Sequence, residues 1–426
     1  MRLVVVVLAA LLAVVGAVVL PADRALAAGA VPSSCGAAQL APVLPEDEVR
    51  TADAPARVPI VVLHGWLGTA THDETRTGAF SHLVDLVAVN GVDEPETVSE
   101  RSVIGRLQNI EGSAVYTFDY RDLSARWVTD PGISDALASS LSCLVQATGH
   151  RAIVVAHSMG GLAARQALSQ EVDGVPVESL VSDVITFGTP NTGSDVAKRL
   201  GEIIDSTGGV SPAMVAGLEP QSRLGFSALM ASCGEAASED ATNAGECTGM
   251  PMIDALSSQA GIAMRTGSTE LGELPPWPAS VHVVALAGDI RVKVASLLGT
   301  GVGDVDLGDI MVGASSAEAG VDEYAVSTCR YTLMTLPDVP SVVAELNPLA
   351  RLGDAVRLAS LVVRIDASPC HHAKLMRNTA LAERAGAEAA DAVAAVLAGP
   401  RSGEDRSPAV LRGLPPSEEA RRRPVR

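Results

Sequence analysis

A single serine joins a strand-like run to a helix-like run in residues 153–162, which read Ile153-Val154-Val155-Ala156-His157-Ser158-Met159-Gly160-Gly161-Leu162. A serine at such a strand-to-helix turn sits in strained backbone, and its hydroxyl is raised clear of the sheet. Small residues two positions before and after it, Ala156 and Gly160, let the helix pack back on the strand. The stretch therefore predicts a nucleophilic Ser158. The competing interpretation is a serine that caps a helix.

Comparable apolar runs lie on both sides of this turn and alternate with helical stretches. Strands are predicted at 59–63, 115–118, 152–156, 183–187 and 281–287, and helices at 133–146, 160–169 and 378–399. Short apolar strands that alternate with helices are typical of an α/β fold with a mostly parallel, doubly wound sheet. Aromatic residues make up only 3% of the chain, and a core of small aliphatic residues suits a sheet covered on both faces.

The first 27 residues have the pattern of a secretory signal peptide. Arg2 supplies the positive start, residues 3–20 are apolar, and Ala25-Leu26-Ala27 is a cleavage site of small residues. We expect cleavage after Ala27 and a secreted protein. The alternative is an uncleaved N-terminal anchor on an extracellular protein, because the apolar run is long for a signal peptide.

The rest of the chain divides by composition. Residues 28–57 are rich in alanine and proline and predict an extended lead-in, and 58–399 form the α/β domain. Residues from about 195 to 280 interrupt the rhythm of strands and predict an insertion, either a cap or lid or a purely structural one. Residues 400–426 are rich in Arg, Pro, Ser and Glu and predict a disordered tail.

Charge and cysteine content narrow the possible partners. The formal net charge is −19, which disfavours nucleic acid as a partner because phosphate binding needs a basic face. Six cysteines in an exported chain predict three disulfides. We expect Cys233–Cys247, Cys329–Cys370 and, as the remaining pair, Cys35–Cys143. The sequence contains no CxxC pair, so a zinc or redox site is not expected.

The stretch His64-Gly65-Trp66-Leu67-Gly68 follows the first apolar strand. Acyl transfer needs backbone N–H donors aimed at the carbonyl oxygen as it gains charge, and glycines let a loop come close to the nucleophile. The predicted oxyanion hole consists of the amides of Trp66 and Met159. His64 is expected to orient the loop through hydrogen bonds and not to act as a base.

Together these residues resemble the secreted, triacylglycerol-lipase-like bacterial proteins of the α/β-hydrolase superfamily. The resemblance is carried by residues 64–68, 116–120, 156–161 and 186–194. It implies the α/β-hydrolase fold with a cap-like or lid-like insertion, and cleavage of carboxylic esters through a Ser-Asp-His triad and an acyl-enzyme. Two alternatives remain: an acyltransferase with the same triad, and a catalytically dead exported binding protein on this scaffold.

The base follows the nucleophile and the acid along the chain in this superfamily. The histidines after Ser158 are His282, His371 and His372. His282 lies in a predicted strand and is interpreted as structural. Related lipases have the pattern Cys-x-His-x-x-Leu-x-x-Asn, which residues 370–378 resemble and which implies His372, with His371 as second choice. A metal site at this pair is not expected, because no carboxylate cluster accompanies it.

Three aspartates are candidates for the acid that orients the histidine. Residues 309–316 resemble the lipase pattern Asp-Gly-x-Val-x-x-x-Ser, although Ile310 stands where the pattern has glycine. Asp309 is therefore ranked first. Asp289 follows the end of a predicted strand and is ranked second, and Asp306 is third. The candidates that are not used would be ordinary loop acids, and calcium binding by this loop is a minor alternative.

The resemblance also sets the expected ligands. The expected partner is a small-molecule or lipid ester, with transient contact with a lipid interface. No cofactor and no metal are required by a triad of this kind, and the sequence carries no prediction of the oligomeric state.

Overall fold

The computed structural model describes residues 40–43, 56–66, 103–207, 255–296, 301–335 and 360–399. The predicted signal peptide 1–27, most of the lead-in and the tail 400–426 lie outside these residues, as do Leu67 and Gly68. No helix within the described ranges is both long and apolar enough to cross a membrane.

Ten strands are described in chain order. Their bounds are β1 Leu40–Val43, β2 Val58–Leu63, β3 Ser113–Phe118, β4 Ala152–His157, β5 Glu171–Val172, β6 Val175–Pro176, β7 Val181–Phe187, β8 His282–Ser296, β9 Gly301–Asp306 and β10 Glu323–Thr335.

Eight α-helices with both ends defined are numbered in the same order. Their bounds are α1 Val103–Gln108, α2 Ser134–Thr148, α3 Met159–Leu168, α4 Asp195–Thr207, α5 Gln259–Ala263, α6 Thr269–Gly272, α7 Ala314–Ala317 and α8 Thr379–Ala398. Short 3₁₀ turns lie at Arg121–Leu123, Val177–Leu180 and His372–Arg377. Residues 360–366 are also helical.

The main sheet has the strand order β1-β3-β2-β4-β7-β8-β10, and β9 pairs with the outer part of β8. β1 runs antiparallel to β3 and β9 antiparallel to β8, while the other neighbours are parallel. β5 and β6 form a separate small hairpin. The predicted mostly parallel sheet is thereby confirmed, and the carboxyl ends of its central strands lie along one edge.

Helices cover both faces of this sheet, as the continuous apolar strands require. Every residue of β2, β3 and β4 is buried. Alternate residues of β2 enter two different cores: Val61 and Leu63 pack with α2 and α3 on one face, and Ile60 and Val62 pack with α1 and α8 on the other. The sheet is therefore doubly wound, as predicted.

β8 is longer than predicted, which changes the position of one candidate acid. The prediction ended this strand at residue 287, but β8 continues to Ser296. Asp289 therefore lies inside the strand and not just past its end. Beyond Gly288, polar and apolar residues alternate because one side of the strand is buried against a small core and the other is exposed; Ile290 and Val292 are buried, whereas Arg291 and Lys293 are exposed.

Three strands of the main sheet were not predicted from the sequence. β1 comes from the lead-in and adds an antiparallel edge next to β3. β9 and β10 flank the outer half of β8. β9 and β10 carry many polar residues, β1 has only four residues, and all three strands lie at the margin of the sheet. A search for continuous apolar runs therefore did not find them.

One predicted disulfide is confirmed. Cys329 on β10 is bonded to Cys370, with the two Cα atoms 6.0 Å apart. Cys143 is also disulfide-bonded, to a cysteine outside the described residues. The expected pair Cys233–Cys247 lies entirely outside them. The Cys329–Cys370 bond attaches the start of the histidine-bearing segment to the sheet.

α8 begins immediately after this segment, and Asn378 determines where. The Asn378 side-chain oxygen accepts a hydrogen bond from the Leu381 amide at 3.2 Å, which is an N-cap. Its side-chain NH₂ donates to the Ser327 hydroxyl at 2.8 Å and to the Pro369 carbonyl at 3.3 Å. One buried side chain thus joins the helix, β10 and the turn before His371.

We expect Asn378→Ala to lower the free energy of unfolding by about 1–3 kcal/mol, because it removes the cap and leaves buried partners unsatisfied. Asn378→Ser is the matched variant: its hydroxyl can still cap the helix but cannot replace the longer amide. Chemical denaturation of both variants measures the two contributions. Unfolding curves of Asn378→Ala that coincide with the unsubstituted protein would contradict this assignment.

Candidate active site

Ser158 occupies the tight turn between β4 and α3. Its backbone has φ 54° and ψ −127°, a conformation that residues other than glycine rarely adopt. The Ser158 amide donates to the Phe187 carbonyl at 2.8 Å, and the Ser158 carbonyl accepts from the Gly161 amide at 3.0 Å. Neighbouring backbone approaches so closely that a Cβ on Gly160 would collide with the His64 carbonyl. The turn is therefore held by packed main chain.

His372 lies between Ser158 and Asp309 and contacts both. Its Nε2 is 2.8 Å from the Ser158 Oγ, and its Nδ1 is 2.7 Å from the Asp309 Oδ2. Because the carboxylate accepts hydrogen bonds, Nδ1 carries the proton and Nε2 is left to accept from the serine hydroxyl. The His372 amide also donates to the Asp309 carbonyl at 2.8 Å. Backbone and side chain thus bind this histidine to the same aspartate.

Asp309 is held by its own loop. Its Oδ1 accepts from the amides of Met311 at 3.0 Å and Val312 at 2.6 Å, which leaves Oδ2 for His372. The Asp309 side chain is 1% exposed and that of His372 is 12% exposed. In such a poorly solvated place, a carboxylate stabilises a positive charge on the adjacent imidazole more than it would in water.

These features decide the fold. A parallel sheet carries a serine with positive φ directly after a central strand, and an aspartate and a histidine from later loops follow in that order along the chain. This is the α/β-hydrolase fold. Within the hydrolase fold, active sites are built on loops at the carboxyl ends of the strands, which is where the Ser158, Asp309 and His372 segments meet.

The second-choice residues lie elsewhere. His371 is 2% exposed, and its Nδ1 accepts from the Ala373 amide at 3.3 Å. Asp289 bonds the Arg291 guanidinium at 2.7 Å and the Thr328 hydroxyl at 3.3 Å on the neighbouring strand. Asp306 bonds the Gly308 amide at 2.9 Å. His282 pairs with Asp183 at 3.2 Å. The described contacts of these four side chains include none with Ser158.

Ile310 stands where the lipase pattern Asp-Gly-x-Val-x-x-x-Ser has glycine, and its surroundings show how an isoleucine is accommodated there. Its φ is 86°, the left-handed region that favours glycine. Its side chain is only 1% exposed and packs in a small core with Ile290, Leu307 and Cys370. Strain at such a position costs about 1–2 kcal/mol, whereas burying an isoleucine contributes about 1.5–3 kcal/mol. Burial therefore offsets the strain, and the isoleucine fits without glycine.

The predicted oxyanion loop lies against the nucleophile. A Cβ placed on Gly65 would stand 2.7 Å from the Ser158 Cβ, so the Gly65–Trp66 peptide passes directly beside the serine. Met159 is the first residue of α3, and its N–H has no acceptor within the helix. Both amides are thus carried by backbone adjacent to Ser158, where a helix N-terminus favours negative charge.

His64 is a support of this loop. Its Nδ1 is 2.9 Å from the Gly65 carbonyl, and its Nε2 accepts from the Tyr120 amide at 3.0 Å. The Tyr120 hydroxyl in turn donates to the His64 carbonyl at 2.7 Å, and the two rings stack with centroids 4.1 Å apart. With both ring nitrogens engaged with main chain, His64 fixes the backbone that leads into Trp66.

An apolar cluster adjoins the site. Trp66 and Met311 pack against Ala197 and Leu200 of α4 and against Leu256. Trp66 directly follows Gly65, which lies against Ser158, and Met311 belongs to the loop that carries Asp309. The described parts of the predicted insertion contain the helices α4, α5 and α6, and α4 places an apolar face beside two site loops.

Three residues near the site had no predicted role. Gly188 follows β7, and a Cβ on it would stand 2.8 Å from the Asp309 Oδ2 and 3.1 Å from the His372 Nδ1. The Thr189 hydroxyl donates to the Ser158 carbonyl at 2.9 Å. The His157 Nε2 is 3.0 Å from the His372 carbonyl oxygen. Gly188 and Thr189 come directly after a buried strand, and this position at the carboxyl edge was the available signal.

The described residues include no group of three or more His, Cys, Asp or Glu side chains arranged to hold a metal ion. The Asp-rich stretch around Asp304, Asp306 and Asp309 was the minor calcium candidate. Of these, Asp309 bonds His372 and two amides of its own loop.

Comparison with known proteins gives distant structural matches. No family model and no curated protein matches the chain. The mature form of Bacillus licheniformis lipase BlEst2 matches with 18% identity and a TM-score of 0.35, covering 66% of this chain and 88% of that one. Aspergillus fumigatus lipase B matches with 12% identity and a TM-score of 0.35, covering 85% and 69%.

An α/β-hydrolase fold protein from Chitinophaga pinensis matches with 15% identity and a TM-score of 0.28, covering 66% of this chain and 82% of that one. At such identities and TM-scores, these likenesses carry no argument about activity. The assignment of the hydrolase fold rests on the strand order and on the turn at Ser158.

Gly188→Ala should weaken the contact between Asp309 and His372, because the added methyl group would press on both partners. We expect labelling of Ser158 by a fluorophosphonate probe to slow by about tenfold or more, since an ångström of misplacement costs up to about 100-fold. Stability should also fall by about 1–2 kcal/mol because φ is 57° at this residue.

Gly174→Ala is the matched control for Gly188→Ala. Gly174 also has positive φ, 78°, but a Cβ on it would meet nothing within 4 Å. This control should show the loss of stability with no loss of labelling. Equal labelling rates for both variants would count against the proposed crowding at Gly188.

The buried His371 predicts a pH dependence of stability. Burial lowers the pKa of its imidazole from 6.5 to about 4, with Lys374 acting in the same direction and Asp366 opposing. Because the folded-state pKa is depressed, the stabilisation is complete above pH 6.5 and is lost as the pH falls towards 4, by up to about 1.4 kcal/mol per pH unit.

His371→Asn isolates this effect, because the asparagine oxygen can still accept from the Ala373 amide but does not titrate. We expect the unfolding free energy of the variant to fall less steeply between about pH 6 and about pH 4.5 than that of the unsubstituted protein. Urea denaturation at several pH values measures both slopes. Parallel curves would argue against a neutral buried His371.

Proposed function

We propose that the protein is an exported serine hydrolase that cleaves carboxylic esters, of the lipase or esterase type, with Ser158, His372 and Asp309 as its catalytic triad. The observation that carries the proposal is the continuous hydrogen-bond chain from the Ser158 Oγ through His372 to Asp309, at 2.8 and 2.7 Å. A serine hydroxyl becomes an effective nucleophile when a base accepts its proton, and an acid that orients that base strengthens the effect.

The first half of the proposed reaction forms an acyl-enzyme. The Ser158 Oγ bonds to the ester carbonyl carbon as its proton passes to the His372 Nε2. The carbonyl oxygen takes the negative charge and is stabilised by the amides of Trp66 and Met159. When the tetrahedral intermediate collapses, the bond from the carbonyl carbon to the alcohol oxygen breaks, and His372 returns the proton to the departing alcohol.

The second half releases the acid. A water molecule gives a proton to His372 and attacks the acyl carbon, the bond to Ser158 breaks, and the proton returns to the Ser158 oxygen. Asp309 accepts the Nδ1–H of His372 throughout and stabilises the transient imidazolium. These groups balance every proton without a cofactor.

Two further observations support parts of this proposal. The Cys329–Cys370 disulfide is typical of proteins in oxidising compartments and supports export. The apolar cluster of Trp66, Met311 and α4 supports an ester with an apolar portion.

The same triad could transfer an acyl group to an alcohol instead of water, and product analysis with an added acceptor alcohol separates the two reactions.

Ser158→Ala should abolish both hydrolysis of a p-nitrophenyl ester and labelling by a fluorophosphonate, because no other group supplies the attacking oxygen. Asp309→Asn should lower kcat by up to about 10⁴-fold, since an amide favours the wrong histidine tautomer. Steady-state kinetics and gel fluorescence measure these losses.

Matched controls exist for both substitutions. Ser169→Ala changes an exposed serine at the end of α3, and Asp289→Asn changes the second-ranked aspartate; both should retain activity. Full activity in Ser158→Ala, or a larger loss in Asp289→Asn than in Asp309→Asn, would refute the assignment. A protein that neither turns over esters nor labels would favour the non-catalytic alternative.

A further inference from the structure

His157 is the last residue of β4 and immediately precedes Ser158. Its side chain is turned into the protein, and the residue is 8% exposed. Its Nε2 lies 3.0 Å from the carbonyl oxygen of His372, and the two imidazole rings have centroids 4.9 Å apart. Since a carbonyl oxygen can only accept, the His157 Nε2–H is the donor. The strand that carries the nucleophile thus binds the main chain of the base.

The His157 ring is neutral at ordinary pH. Burial lowers the pKa of its imidazole to about 3, the nearby His372 and His64 act in the same direction, and the hydrogen bond to the His372 carbonyl opposes them. A neutral ring can stand beside His372 without repelling a positive charge that forms there. It also keeps one nitrogen unprotonated, so the tautomer with hydrogen on Nε2 is the one that fits the contact.

Two other contacts of His372 are both with Asp309. Its backbone amide and its Nδ1 both bond to Asp309, so these two contacts let the histidine and the acid move as one unit. Within the described part of the chain, β4 reaches this unit through His157, its last residue, and the turn after β4 reaches it through the Ser158 hydroxyl. The serine hydroxyl is the reacting group and must break its contact during the reaction, whereas the His157 contact can persist.

We propose that His157 is a positioning residue that keeps the His372–Asp309 pair in register with Ser158. It does not touch the reacting atoms; it acts through the main chain of His372. The proposal deepens the function proposed above and rests on it. Proton transfer from Ser158 depends on the separation between Oγ and Nε2, and a displacement of about 1 Å can cost on the order of 100-fold in rate.

Two amide substitutions of His157 test this. In His157→Gln the side-chain nitrogen can reach the position of the imidazole Nε2 and donate to the His372 carbonyl. In His157→Asn the amide is of the same chemical type but one bond too short. We expect His157→Asn to lower kcat for a p-nitrophenyl ester, and the labelling rate with a fluorophosphonate, by about 10- to 100-fold with KM nearly unchanged. His157→Gln should restore most of the rate.

A second readout does not depend on turnover. In protein with ¹⁵N-labelled histidine, the hydrogen-bonded Nδ1–H of His372 should give a low-field proton resonance. It should persist in His157→Gln and broaden or vanish by exchange in His157→Asn. If the unsubstituted protein neither labels nor hydrolyses esters, the proposed function fails while this resonance still tests the positioning.

The outcomes are distinct. Loss of rate and of the resonance in His157→Asn, with recovery in His157→Gln, supports the proposal. Equal rates and resonances in both variants overturn it, because the hydrogen bond would then have no effect on His372. Equal impairment of both also overturns it, since simple loss of the ring and not of the donor would be responsible. A change in KM alone would likewise contradict a positioning role.

Discussion

The site depends on the close approach of main chain around the turn at Ser158. A serine at φ 54° is strained, and it persists only where its surroundings leave it no other conformation. Gly65 and Gly160 bring backbone into contact with the turn where a Cβ would collide, and Gly161 does the same against Thr189. These close approaches at Gly65 and Gly160 hold the turn in place, and with it the Ser158 hydroxyl beside the histidine.

Strain appears a second time in the acid loop and is compensated differently. At Ser158 the compensation is main-chain packing, whereas at Ile310 it is burial of the side chain in the small core around Ile290 and Cys370. That core also holds the disulfide cysteine that precedes His371. The loop that carries Asp309 and the cysteine two positions before His372 therefore pack in one common cluster.

The central part of the fold could be predicted from the sequence because burial on both faces leaves a simple pattern. Strands such as β2 and β4 are apolar at nearly every position, and the serine turn follows one of them. The outer strands are half-exposed, so β10 and the second half of β8 alternate in polarity and were missed. That error had a consequence: ending β8 too early placed Asp289 at a strand end and made it resemble a catalytic acid.

The roles of Gly188, Thr189 and His157 could not be predicted for a related reason. Thr189 and His157 each act through a contact with main chain, and a hydrogen bond to a carbonyl leaves no requirement on the residue type of its partner. Gly188 acts only through its close approach to the side chains of Asp309 and His372. The partner is known only when the loops are in place. Residue identity at a single position can indicate a nucleophile or a base, but it cannot indicate a donor whose acceptor is any carbonyl at the right distance.

Separation along the chain does not limit such a site. Ser158 and His372 are 214 positions apart, and Asp309 and His372 are 63 apart. Loop-closure entropy rises only with the logarithm of length, by about 0.6 kcal/mol for each doubling, so the longer separation costs about 1 kcal/mol more than the shorter one. The choice between the adjacent His371 and His372 is therefore made by local geometry. The 3₁₀ turn that starts at His372, held by Cys370 before it and Asn378 after it, directs one ring to Ser158 and buries the other.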